Sequence, residues 1–206
     1  MSNLRAQLLE IIHNAYPENF RGLDPSKALG ENVFDGLKPH PNAVLKLFVQ
    51  QKVTSALPMA YYMAVRRGSD SLMDAQLPTN ATLSGQTLRS AIRGLIALRE
   101  MELDETHRII FTTSNYVGCS STDCPSLRSG RRLDAEIVGV LQRTSDRITG
   151  SAVGGTRILQ VLPGSEFAED TESKFCRFCT EKMQAAHGEV RKKAWAALPD
   201  VFGLRV

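Results

Sequence analysis

The sequence predicts a mostly helical single domain over residues 1–206, with a structural zinc clasp joining a loop to the last helix. Three observations carry that prediction. Apolar residues recur at helical spacing in several segments. The connections between them are rich in Gly, Pro, Asn and Asp, which punctuate rather than propagate regular structure. The chain's four cysteines fall into two close pairs, Cys119 with Cys124 and Cys176 with Cys179. On this reading a helical half, 1–103, is followed by a zinc-stabilised half, 104–206.

The elements follow in order. Leu4, Leu8, Ile11, Ile12 and Ala15 share one face of a helix over 3–16, and Pro17 lies just past its end. Residues 17–40 read as a long loop. A second helix begins near Pro41, with Val44, Leu45 and Phe48 on its apolar face, since proline is tolerated at a first helical position. Ser55 reads as the cap of a third helix, 56–67, with Pro58 in its first turn and Gly68 ending it. A loop over 69–83 follows. Ser84 then caps the clearest helix in the chain, whose buried stripe is Leu88, Ala91, Ile92, Leu95 and Leu98. Arg89, Arg93 and Arg99 are expected in solvent.

Residues 104–117 are ambiguous. Ile109 to Thr113 favour a strand by propensity. Their place directly after a helix, with Leu103, His107, Ile110 and Phe111 roughly on one side, favours helix, and helix is the reading taken. A turn at 118–125 holds the first cysteine pair. Another helix is expected over 127–147, with Leu133, Ile137, Val140 and Leu141 inward. Residues 148–174 read as an irregular connection, apolar only at 158–162. A final helix runs from Glu181 to about Ala197, stopped by Leu198-Pro199. Val201, Phe202 and Leu204 form an apolar tail that packs back.

Composition bounds the function classes. A net charge of +3 is too small to argue for a polyanionic partner. Arg66-Arg67, Arg128 with Arg131-Arg132, and Arg191-Lys192-Lys193 are nearly balanced by acidic residues and read as solvated helix faces, which puts nucleic acid last among partners. No window approaches the ~20 apolar residues of a membrane span. The first residues lack the apolar core and cleavage site of a signal peptide. A cytoplasmic or nuclear location is therefore expected, where thiols stay reduced and the sequon at Asn80 carries no meaning.

In a reducing compartment, close cysteine pairs read as metal ligands before they read as disulfides. The pattern is C-x4-C, then 51 residues, then C-x2-C. Four thiolates would give zinc a closed tetrahedral site, structural rather than catalytic because no position is left for water. All four cysteines are used. Lys174, Arg177 and Lys182 flank the second pair and could offset the negative charge of a four-thiolate centre. The alternatives are four separately buried cysteines and two local disulfides.

Enzyme signatures are weak. His187-Gly188-Glu189 spells the H-x-E of zinc deaminases, but it follows the cysteines instead of preceding them, and no proline precedes Cys176. The stretch Gly150 to Thr156 lacks the lysine of a phosphate loop. His13, His40, His107 and His187 are scattered. The chain is thus read as non-enzymatic, with a small-molecule pocket near Tyr61, Tyr62 and His107, between the two halves, as the alternative. Trp195 is either a partner anchor or, the preferred reading, packed on the tail at Phe202.

The C-terminal residues Cys176-Arg177-Phe178-Cys179, Arg191, Trp195, Leu198-Pro199 and Phe202-Gly203-Leu204 resemble the end of fungal BTB/POZ-domain-containing proteins. Pro41 to Tyr62, Leu83 to Leu98 and the pair Cys119/Cys124 are similar to that family's upstream helices and earlier cysteine pair. The likeness covers roughly residues 40–206. It implies a helical domain with a four-cysteine centre. The BTB fold itself, which lies N-terminal to this region in the family, is expected to be missing. The functional expectation is an adaptor that binds a protein partner through a helical face.

Overall fold

The computed structural model describes residues 40–66, 68–73, 79–113, 158 and 177–204, apart from the side chains at 80, 105–113, 179, 180, 183 and 184. Among these residues the chain is mostly helical and contains no strand. Five helices lie among them: α1 Pro41–Gln51, α2 Leu57–Val65, α3 Ser69–Met73, α4 Gly85–Thr113 and α5 Arg177–Val201. A 3-10 turn at Thr79–Ala81 lies between α3 and α4. The expected helices at 3–16 and 127–147 and the turn at 118–125 lie outside the described residues. So does nearly all of the loops at 17–40 and 148–174.

The chain divides into two compact units. The first comprises Met1–Leu98, Ala152–Thr156 and Trp195–Val206; the second comprises Arg99–Ser151 and Arg157–Ala194.

In the first unit α1 starts where Pro41 predicts. The His40 ring accepts a hydrogen bond from the Asn42 N–H through Nδ1 at 3.3 Å, satisfying one of the donors a helix start leaves open. Asn42, Val44, Leu45 and Phe48 are buried. The helix ends on Lys52, whose φ of +53° is left-handed. Its N–H reaches the Val49 carbonyl at 3.3 Å, and the Val53 N–H reaches Phe48 at 3.0 Å. That bond pair is the Schellman closure usually given to glycine.

α2 differs from the expectation at its start. Ser55 does not cap it. The N-cap is Ala56, in a right-handed helical conformation with no side-chain bond. The preceding turn takes over, with the Leu57 N–H on Thr54 at 3.4 Å and the Ala60 N–H on Ala56 at 3.0 Å. From Met59 to Val65 every residue is buried. No charged residue occurs between Val53 and Val65, and a helix apolar all round belongs inside a core. Burying side chains such as Tyr62, Met59 and Val65 stabilises the fold by about 1.5–3 kcal/mol each.

The loop expected over 69–83 contains structure of its own. Gly68, at φ +97°, turns the chain after α2. Ser71 Oγ donates to the Gly68 carbonyl at 2.8 Å, and Leu72 is buried on α3. Asn42 Nδ2 donates to the Ser71 carbonyl at 3.1 Å, tying α1 to α3. Lys46 Nζ does the same for the 3-10 turn, on Thr79 at 3.0 Å.

α4 runs for 29 residues. Ser84 caps it as expected: its Oγ accepts from the Thr87 N–H at 3.2 Å and lies 2.9 Å from Thr87 Oγ1. Ala91, Leu95 and Leu98 are buried, with Leu88 and Ile92 half-buried. The helix continues through the ambiguous stretch to Thr113. An established helix extends at one hydrogen bond per residue, which outweighs the weak strand preference of Ile109 to Thr113.

α5 departs from the expectation at both ends. It begins at Arg177, not Glu181, and continues through Pro199 to Val201. The missing Pro199 N–H costs the helix one bond without ending it. What ends the helix is Gly203 at φ +69°. Its N–H bonds Asp200 at 3.0 Å while the Leu204 N–H bonds Pro199 at 2.7 Å, a second Schellman closure.

Candidate functional site

The first candidate is the start of α5. Cys179 falls in its first turn, three positions after Cys176 and two after the first helical residue, Arg177. A helix N-terminus presents unpaired N–H groups and favours negative charge, so a thiolate there is stabilised. That placement suits a metal-bound cysteine. Cys119, Cys124 and Cys176 lie outside the described residues, as does the Cys179 side chain. Among the described residues no cluster of His, Cys, Asp and Glu could hold a metal ion.

The flanking charges are already engaged. Arg177 Nε donates to Glu181 Oε1 at 2.8 Å, a pair well exposed to solvent. The Glu181 hydrogen bond and charge hold the guanidinium above its usual range. Lys182 Nζ stands 5.6 Å from the centre of the Phe178 ring, in cation–π range. Two cations and the Glu181 carboxylate that pairs with one of them thus lie within one turn of position 179. Further along, the basic run 191–193 does not form one face. Arg191 is buried at 9% exposure, and Lys192 pairs with Glu189 at 2.6 Å.

The second candidate surrounds the chain's end. Phe202 is buried against Tyr61, ring centroids 4.9 Å apart and planes 21° from parallel. Opposite, Gly94 on α4 gives it room: a Cβ at that position would run into the Phe202 ring. Tyr61 also bonds Thr87 and Ser90, joining the hydroxyl of the α4 cap. Burial pushes the Tyr61 phenol above its usual value of 10, while those two hydrogen bonds pull the other way. Tyr62 is fully buried on α2, Trp195 is half-buried on α5, and His107 lies on α4 with its side chain outside the described residues.

Two residues here escaped the sequence reading. Gly94 reads as a helix weakener in a sequence, and only the ring packed on it shows its purpose. Asn42 is wholly buried, and its Oδ1 has no hydrogen-bond partner among the described residues. Its signal in the sequence was slight, an asparagine one residue inside a proline-started helix.

Comparison with protein families, with curated proteins and with solved structures finds no match to this chain. Among the described residues no helix is long and apolar enough to cross a membrane.

Proposed function

We propose that this chain is a non-enzymatic interaction domain whose C-terminal half is stabilised by one structural zinc on Cys119, Cys124, Cys176 and Cys179. The supporting observation is the start of α5 at Arg177, which puts Cys179 in the first turn of a 25-residue helix. The negative charge of a thiolate-bound metal is favoured there. The spacing of the four cysteines supplies the remaining ligands. Zinc would tie the 118–125 segment to this helix start, and the site would do no chemistry because no ligand position stays open.

The domain is an adaptor that offers a helical face to a protein partner, in the cytoplasm or nucleus, with Trp195 as a candidate anchor. The likeness to fungal BTB/POZ-domain-containing proteins belongs to this proposal and rests on the C-terminal residues together with Pro41 to Tyr62, Leu83 to Leu98 and the Cys119/Cys124 pair. The test is far-ultraviolet circular dichroism during heating, with chelator, without it, and after zinc is restored. Loss of helicity on chelation, recovered by zinc, is the expected result. A melting curve indifferent to chelator would refute the metal reading.

A further inference from the structure

The outward face of α4 carries an ordered pattern that burial does not explain. Ile96 and Leu103 are exposed at 54% and 46%. With half-buried Ile92 they stand within about 40° of one another on a helix turning about 100° per residue. Their spacing, 92, 96 and 103, is that of a helix–helix seam. Along one flank run four exposed charges, Arg89, Arg93, Glu100 and Asp104, basic toward the N-terminus and acidic toward the C-terminus. None of the four is paired with another described residue.

We infer that a second copy of this chain docks here, α4 against α4, antiparallel about a two-fold axis between Ile96 and Ala97. The charge order selects that partner and that direction. Arg93 and Glu100 are equidistant from the axis, as are Arg89 and Asp104. In an antiparallel two-fold pair the same flank of each helix meets its counterpart. Arg93 of each copy then comes level with Glu100 of the other, and Arg89 with Asp104, giving four complementary pairs. A parallel two-fold pairing would turn this flank away from its counterpart and form none of these four pairs. Ile92, Ile96 and Leu103 close the seam between them. Half-buried Arg99, on the opposite edge, is the one cation that approaches its own copy, and it limits the strength of the contact. A single helix pair with exposed ion pairs makes a small, salt-sensitive interface.

This inference rests on the reading that a helical face of the chain is its interaction surface, and it names the occupant. The test is sedimentation equilibrium of the full chain over a wide concentration range, at low and high salt. The monomer is 22.7 kDa, so association reads directly as mass. Reversible dimerisation that weakens with salt is expected. Ile96→Asp should raise the dissociation constant about thirtyfold or more while leaving the circular dichroism unchanged, since the side chain is exposed. Arg93→Glu and Glu100→Arg should each weaken the dimer about fivefold, and the double variant should recover to within about threefold of the parent. A wild-type chain that stays monomeric throughout overturns the inference. So does a dimer that ignores Ile96→Asp, or a double variant that fails to recover. A monomer whose helicity still depends on zinc would sink this dimer and leave the zinc-stabilised domain standing.

Discussion

α2 and α5 are both helices, but different forces hold them. α2 is nine residues long and buried from Met59 to Val65. The hydrophobic effect is the main force that holds it in place. α5 is 25 residues long. Among its described side chains, the buried ones lie late, at Val190, Arg191, Ala194 and Leu198, while Arg177, Phe178, Glu181, Lys182 and Ala185 are exposed. The interactions visible there, an exposed Arg177–Glu181 pair and a cation over Phe178, contribute only a few tenths of a kcal/mol to about 1 kcal/mol. Among the described side chains of this helix start, burial contributes little. The metal proposed at Cys179 would add a source of stability there.

The largest expected effect breaks that source. Cys179→Ser removes a proposed ligand, and structural zinc contributes on the order of 10 kcal/mol of apparent binding free energy. Calorimetry should show the C-terminal half unfolding early or separately, and a melt identical to the parent's would count against the proposal. Next comes Tyr62→Ala, which empties a fully buried site on α2. It should cost about 3–5 kcal/mol by denaturant titration, and the loss should be the same with or without chelator. Equal chelator sensitivity of both variants would erase the distinction between the two helices.

Gly94→Ala tests the tail. Alanine favours a helix over glycine by about 1 kcal/mol, yet its Cβ would strike Phe202. A net loss of about 1–3 kcal/mol is expected; a gain would mean the tail is not held there. Lys52→Gly should act in the opposite direction. A lysine at φ +53° is strained where glycine is not, so the midpoint should rise by the equivalent of about 0.5–1 kcal/mol. Tyr61→Phe removes two hydroxyl bonds at neutral pH, and its distinctive effect comes in alkali. The folded phenol keeps its proton above pH 10 while the unfolded one releases it. The stability due to protonated Tyr61 is therefore full below that pH and is lost as pH rises towards the folded-state value. The phenylalanine variant should show a shallower alkaline decline.

Much of the fold was legible wherever one local rule governed it. Pro41 and Ser84 marked the starts of α1 and α4 because a first-turn proline and a capping hydroxyl act through the nearest backbone alone. The reading failed where one local backbone device displaced another. Pro199 looked like a stop, but Gly203 supplies the left-handed residue that closes the helix. Ser55 looked like a cap, but the turn at Thr54 to Ala56 satisfies the backbone first. Lys52 gave no signal, since nothing about a lysine announces a left-handed end. For the site, the cysteine spacing indicated ligands. The sequence puts the second pair just before the last helix; the structure starts that helix four residues earlier, at Arg177, so that Cys179 lies within its first turn.

The most direct trial of this account is the zinc content of the purified full-length chain, measured by atomic emission under reducing conditions. The account predicts one zinc per chain, retained through gel filtration and lost when Cys119 or Cys176 becomes serine. A chain that carries none, folds fully, and takes up none when zinc is supplied would contradict it.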